Sequence, residues 1–501
     1  MNHDQNVTHW TSRRRPHRKF NRTHVTIRKS LFYSYLDRYA SLVLNMAASM
    51  IIARLLTPED IGVFSVTMVL LTFVATVRDM GAGGYLVQEK ELTVDRIRAV
   101  WSVQLGLGVG LAILVLIASV PVASFYGEPR MRDIMMVVAL NYAINPFGSL
   151  TYAWQIREMR FDALALVRFT ATLVGGAVSV YLAWRGFGPL GLALASVAST
   201  LVNALMAVYF RPKWFPWLPG LKEIRRVLTF GSQSTGSSMM QTLAGSAPEM
   251  LLGKLQSMVA VGLFSRASGL VAMFQRMVLD GISSVAQSWF AKQSRDYGSI
   301  AQPFMKATSY VSAVGWAFTL GIIFLAHPAI RILYGPQWGS AVELTRLLAG
   351  ALACGMPAAM CTSALMAVGA VNRILRGSVF TTVVTVVLIA IGAVLGLLPM
   401  GAAMVVATIV RTWFWLMTTR KEIKFNWAEL MTTLRDSAIV GLAAGVGPGI
   451  AFVLYGPYPA NIWLPMAIGV PGAVAGFVGA IIVVKHPLLD ELQSIRLRFS
   501  T

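Results

Sequence analysis

The sequence predicts an all-α, polytopic membrane protein of about fourteen transmembrane helices. Three observations carry this. Only 13% of the 501 residues are charged and 56% are hydrophobic, against roughly 25% charged in soluble chains. Apolar runs of about 20 residues, the length a helix needs to cross a bilayer core, recur along almost the whole sequence. Lysine and arginine concentrate in alternate connections, as the cytoplasmic excess of basic residues requires.

The runs place spans at 31–54, 61–82, 99–120, 132–153, 164–184, 189–210, 229–253, 260–288, 306–326, 342–367, 377–397, 400–418, 436–455 and 462–484. Turn chemistry separates them, as at Thr57-Pro58-Glu59-Asp60, Tyr126-Gly127-Glu128-Pro129, Tyr334-Gly335-Pro336 and Tyr455-Gly456-Pro457. Segment 1–30 carries Arg13-Arg14-Arg15-Pro16-His17-Arg18-Lys19. No short apolar region with a cleavage site follows, so it reads as a basic cytoplasmic tail and not as a twin-arginine signal. With the N-terminus inside, 30 of the 43 lysines and arginines fall on cytoplasmic segments, 6 on outer ones and 7 within spans. One helix more or fewer would invert every later loop, so both termini are expected inside. The same placement accounts for the net charge of +21 without nucleic acid. Cys354 and Cys361 are seven residues apart, a helical rise of roughly 10 Å that excludes a disulfide. The histidines form no metal motif, and no cofactor motif is present.

The chain also repeats itself. Ala53-Arg54-Leu55 recurs as Gly253-Lys254-Leu255, and Gly62-Val63-Phe64-Ser65 as Gly262-Leu263-Phe264-Ser265. Phe125-Tyr126-Gly127 matches Leu333-Tyr334-Gly335, and Pro189-Leu190-Gly191 matches Pro399-Met400-Gly401. Span 1 thus corresponds to span 7 and span 6 to span 12, a parallel repeat about the membrane normal. The expected domains are a basic tail (1–30), a first lobe (31–210), a linker (211–228), a second lobe (229–418), a cytoplasmic loop with spans 13 and 14 (419–484), and a cytoplasmic tail (485–501). Asp37, Ser41, Asn45 and Ser49 share one face of span 1, and Ser237, Gln241, Gly245 and Glu249 stand at the same positions in span 7. Polar groups at membrane depth face protein or a wet cavity. Interhelical hydrogen bonding and a shared polar cavity both satisfy that rule.

The run Ala53-Arg54-Leu55-Leu56-Thr57-Pro58-Glu59-Asp60-Ile61-Gly62-Val63-Phe64 resembles the helix 1–2 junction of Wzx-type oligosaccharide flippases. These are the polysaccharide-transporter branch of the superfamily that also holds multidrug exporters and the lipid II flippase. Gly262-Leu263-Phe264-Ser265-Arg266-Ala267 is similar to its second-half counterpart. Leu333-Tyr334-Gly335-Pro336-Gln337-Trp338 resembles the family's loop before helix 10. The resemblance covers about residues 30–430. It implies two six-helix lobes around a central cationic cavity in the bacterial cytoplasmic (inner) membrane, working by alternating access. The implied cargo is a polyprenyl-diphosphate-linked oligosaccharide moved to the outer leaflet. Membrane lipids are implied as surroundings, and a polysaccharide polymerase and chain-length proteins as partners. Coupling to H+ or Na+ stays open.

Moving an anionic, hydrated head group through hydrocarbon is prohibitive unless cations and hydrogen bonds replace its water. Arginine suits the task, being always charged and able to grip phosphate with paired donors. Arg38, Arg78, Arg168, Arg276 and Arg411 lie in the middle or cytoplasmic part of their spans and are the expected substrate-binding residues. Each central arginine costs at least about 2.5 kcal/mol to insert, so something must offset it. Asp37, Asn45, Asp79, Gln241, Glu249 and Asp280 are the expected polar or ion-coupling groups of the cavity. Arg276 and Asp280, four apart, can equally form a structural ion pair. Arg266 and Arg346, nearer the outer ends, are expected to snorkel. Pro248 beside Glu249 predicts a bend that is either a hinge or a static kink. A membrane glycosyl polymerase or transferase would need a large outer loop with catalytic groups, whereas the outer loops here are short, so an enzyme is not expected. A drug exporter of the same superfamily should favour acids over arginines in its cavity. A non-transporting scaffold is the third alternative.

Overall fold

A computed structural model describes residues 27–78, 82–89 and 91–489, without the side chains of 27–38, 82, 230–238, 240–241, 276, 280 and 284. Among the described residues the chain is helical, with no strand. The first half comprises α1 (Ile27–Leu55), α2 (Pro58–Arg78), α3 (Ala82–Gln88), α4 (Val94–Tyr126), α5 (Arg130–Ile144), α6 (Pro146–Arg157), α7 (Phe161–Trp184) and α8 (Gly188–Tyr209). The second comprises α9 (Ile224–Leu255), α10 (Met258–Phe274), α11 (Asp280–Tyr297), α12 (Ala301–Leu333), α13 (Val342–Gly355), α14 (Cys361–Ala367), α15 (Val371–Leu395) and α16 (Leu397–Ile423). α17 (Trp427–Tyr455) and α18 (Trp463–Val483) follow.

Eleven helical segments are long and apolar enough to cross a membrane, and twelve if α5 and α6 count as one broken span. They cover predicted spans 2–6 and 8–14. Predicted spans 1 and 7 fall on α1, whose described apolar part is Tyr39–Leu55, and on α9. Three predicted spans are not plain helices, the tenth because a 3-10 turn at Met356–Ala358 divides it into α13 and α14. The fourth bends by 50° between α5 and α6, because Pro146 has no N–H to give the carbonyl of Tyr142. The eighth carries a π-turn at Gln275–Leu279 between α10 and α11. That turn separates Arg276 from Asp280, so the i,i+4 geometry of a regular α-helix does not hold between them; their side chains lie outside the described residues. α9 is helical straight through Pro248. Pro328 instead accompanies a kink, at Leu325 of α12 (φ −101°, ψ 15°).

Pairings in the first half have counterparts in the second. α1 packs on α7 as α9 packs on α15; α5 packs on α4 and α8 as α13 packs on α12 and α16; α7 pairs with α8 as α15 with α16. α2 and α10 join the halves. Their starts are built alike: Thr57 and Asp60 cap α2 reciprocally (Asp60 N to Thr57 Oγ1, 3.2 Å), and Ser257 Oγ caps α10 from Ala260 N (3.2 Å). A Cβ on Gly62 would lie 1.8 Å from the Met258 carbonyl, and one on Gly262 1.8 Å from that of Pro58. The repeated glycines therefore let the two helices touch backbone to backbone. α17 packs along α12 and α18. The connection after α8 is folded onto α4: Trp101 Nε1 donates to Trp217 O (3.0 Å) and Arg211 stacks 3.9 Å over the Trp217 ring.

Candidate functional site

At the end of the bundle formed by the α1–α2 and α9–α10 turns, the halves are tied by matching bonds. Arg54 Nη2 donates to Ile332 O at the end of α12 (2.6 Å). Lys254, its repeat partner, donates to Phe125 O at the end of α4. Gln337 Nε2 and Trp338 Nε1 donate to Ala53 O across the halves (2.7 and 2.8 Å), while Gln256 Nε2 donates to Ala393 O within the second half (2.8 Å). Arg130 joins Glu59, Asp60 and Glu128 on the same rim. Its guanidinium holds the Glu128 carboxyl below the usual carboxylate range.

Just beneath, four helices meet in a polar knot. Ser65 Oγ on α2 donates to Glu249 Oε2 on α9 (2.7 Å) and lies 3.2 Å from Ser265 Oγ on α10. Arg266 Nη1 on α10 donates to Ser49 Oγ on α1 (2.6 Å), and its guanidinium sits 5.5 and 5.6 Å from the Tyr334 and Trp338 rings. Arg266 therefore does not snorkel; aromatic faces and a hydroxyl compensate its charge inside the bundle. Arg346 reaches toward the ends of its neighbouring helices. It donates to Glu343, to Ile323 O (3.2 Å) and to Pro457 O (3.0 Å), pinning α12, α13 and the connection after α17 together.

Toward the opposite end, the first half forms a partly open cavity of about 590 Å³ between α2, α3, α4, α6 and α8. Its wall includes Arg78, Gln88, Gln104, Asn145, Tyr152 and Asn203. The bend before Pro146 places Asn145 there. Gly108 lets α4 close in on the bend, since a Cβ would fall 2.6 Å from Pro146 Cγ. Arg157 Nη1 caps the C-terminus of α3 by donating to Leu86 O (2.8 Å), which fixes that wall.

The predicted residues divide accordingly. Arg78 lines this cavity, with its guanidinium 5.7 Å from the Tyr142 ring. Arg168 on α7 donates to the hydroxyl of Tyr152, a residue of the cavity wall. Arg411 is in the other half, on the face of α16 opposite the exposed Val406, Ile409 and Trp413. It is accessible nonetheless, so it opens onto interior space and not onto the outer apolar face. Glu249 belongs to the knot. Asn45 is accessible and donates to Ser41 O of its own helix (2.8 Å). Asp37, Arg38, Asp79, Gln241, Arg276 and Asp280 lie outside the described side chains. Sequence reasoning that followed charge missed Gln104, Asn145, Tyr152 and Asn203. The available signal was uncharged hydrogen-bonding groups at membrane depth and an Asn-Pro pair inside an apolar run.

The polysaccharide biosynthesis protein family profile matches residues 51–343. That is more than half the chain, which belongs to this family. The chain is 23% identical over 325 residues to the succinoglycan biosynthesis transport protein ExoT of Rhizobium meliloti, covering 65% of this chain and 66% of that protein. It is 23% identical over 312 residues to the lipopolysaccharide biosynthesis protein WzxC of Escherichia coli, covering 61% and 62%. The matches thus span about two thirds of these relatives' length. Among solved structures, lipid II flippase MurJ in an inward closed conformation superposes with a TM-score of 0.74 at 11% identity, over 92% of this chain and 99% of that one. An inward-facing multidrug resistance MATE family transporter of the MOP superfamily gives 0.56 at 17%, over 78% and 96%. These two likenesses establish a shared polytopic helical fold.

Proposed function

We propose that this member of the polysaccharide biosynthesis protein family flips a polyprenyl-diphosphate-linked oligosaccharide from the inner to the outer leaflet of the bacterial cytoplasmic membrane. The observation that carries the reading is Arg411: a guanidinium on the inward face of a membrane helix, accessible from the interior and without a hydrogen bond or ion pair among the described residues. Such a charge is costly at membrane depth unless an anion visits it, and paired donors suit a diphosphate. Arg78, in the wall of the opposite half, gives the cargo a second cation. The names of the relatives, a succinoglycan transport protein and a lipid II flippase, support transport over catalysis.

In this reading fourteen helices form two six-helix lobes plus a C-terminal pair, with both termini cytoplasmic. The tied end is the outer one, and the structure corresponds to an outward-closed state. Glu249 is the acid available for ion coupling. The test is reconstitution of the purified chain in liposomes with a fluorescent lipid-diphosphate sugar, under an imposed proton or sodium gradient. Wild type is expected to expose the sugar to an external quencher. Arg411→Ala and Arg78→Ala, inserted at wild-type levels, are expected to slow this at least tenfold. Arg→Lys should restore it only in part, because the ammonium keeps the charge but loses the planar fork. Transfer at wild-type rate by both alanine variants would remove the cationic mechanism.

A further inference from the structure

We infer that the partly open cavity of the first half is a sugar-recognition subsite, which selects the uncharged glycosyl residues of the cargo while arginines handle its diphosphate. The inference rests on the flipping reading and adds to it where specificity is held. At about 590 Å³ the cavity falls within the roughly 300–1,000 Å³ of small-molecule sites. Among its described lining residues there is no carboxylate, and Arg78 is the sole cation. The remaining polarity comes from amides and hydroxyls. That is a poor match for a cationic drug and a good one for sugar hydroxyls, which both donate and accept.

The amides are moreover open for business with a ligand. Gln104 is only 7% exposed, yet its Oε1 has no hydrogen-bond partner. A buried amide oxygen left so costs free energy that a ligand hydroxyl would recover. The side chains of Asn145 and Asn203 likewise make no hydrogen bond among the described residues. They enter the wall from different helices, Asn145 at the α5–α6 bend and Asn203 on α8. Tyr152 adds a ring whose hydroxyl is already held by Arg168, which fixes it as an amphipathic surface. Three amides from α4, α8 and the bend, with one aromatic face, can distinguish hydroxyl configurations.

The test is site-specific photocrosslinking of the full-length chain in its native host. A benzophenone amino acid is placed at Asn203, at Thr200 on the same wall, at Asn45 on α1, and at the outward-facing Ile117. Adducts are read by periodate oxidation and hydrazide tagging, in cells that make the polysaccharide and in cells blocked in its first glycosyl transfer. Carbohydrate adducts are expected at Asn203 or Thr200, and at Asn45, only in the producing cells, and none above background at Ile117. Adducts at Asn45 alone would overturn the subsite and leave flipping standing. Absence at Asn45, Asn203 and Thr200 alike would remove both. Equal labelling at Ile117, or labelling in the blocked cells, would identify membrane lipid as the occupant and also overturn the subsite.

Discussion

His486 lies three residues beyond α18 and is almost wholly buried. Its Nδ1 accepts from Leu488 N (3.3 Å), so the proton sits on Nε2, which is 2.8 Å from Ser309 Oγ on α12 and 3.2 Å from Ser437 Oγ on α17. Burial pushes this imidazole below its ordinary value, and Asp436 offsets part of the shift. A second ring proton would also set N–H against N–H at Leu488. Because the folded value is lowered, the docked segment is most stable above the unfolded value of about 6.5 and loosens as pH falls through it. The protection of the Leu488 and Leu489 amides, taken relative to their intrinsic base-catalysed exchange rates, is therefore expected to fall between pH 7.5 and pH 5. His486→Asn, which can still accept and donate, should flatten that dependence. A protection factor independent of pH in the wild type would contradict this. The same logic explains which single residues were legible beforehand. Arginine is so costly in a membrane that position alone singles out Arg78 and Arg411. Whether an arginine is answered by protein, as Arg266 is by Ser49, Tyr334 and Trp338, depends on residues far away in sequence. Uncharged amides such as Gln104 carry too little cost to stand out in an apolar run.

At the scale of elements, the apolar runs and their turns were legible because each span has to satisfy its own backbone in lipid. The bend at Asn145-Pro146 had a local signal, the missing N–H of proline. The π-turn at Gln275–Leu279 had none, since it depends on packing and not on a breaker residue. The repeated Gly-x-Phe-Ser motif was visible as a pattern, but its physical meaning required the contact between α2 and α10. With a Cβ of either glycine 1.8 Å from a facing carbonyl, no rotamer change relieves the clash, and the helices must separate. Gly62→Ala or Gly262→Ala is thus expected to disfavour the tied state while leaving each helix intact, alanine being the better helix former. The measurable result is faster modification of a cysteine at Ser65 by a membrane-impermeant thiol reagent added outside. Unchanged protection in both variants would show that the contact does not govern closure.

For the whole molecule, the bonds at the tied end have a common form. Each runs from a side chain of one half to a main-chain carbonyl or carboxylate of an element beside it, as with Arg54 to Ile332 and Lys254 to Phe125. These bonds are few and local, and apart from them the halves meet chiefly where α2 packs on α10 and α9, whereas α7 on α8 and α15 on α16 pack within one half. If the molecule changes state, the halves should therefore move as bodies and the tied end should open, with the long packed pairs preserved. Two spin-label pairs test this. Thr57 with Ser257 reports the tied end, and Met159 with Val371 reports exposed positions at the opposite end. Addition of a lipid-linked diphosphate sugar is expected to broaden the first distance upward and the second downward, because rocking about a central site couples the ends with opposite sign. The Ser257 cysteine also fixes the orientation, since the predicted topology makes it reactive only from outside the cell. Labelling from the cytoplasm alone would invert the assignment of leaflets. Distances that shift with the same sign at both ends would replace rocking with a breathing motion of the whole bundle, and two fixed distances would confine the change to local side-chain gates around the Ser65–Glu249 knot.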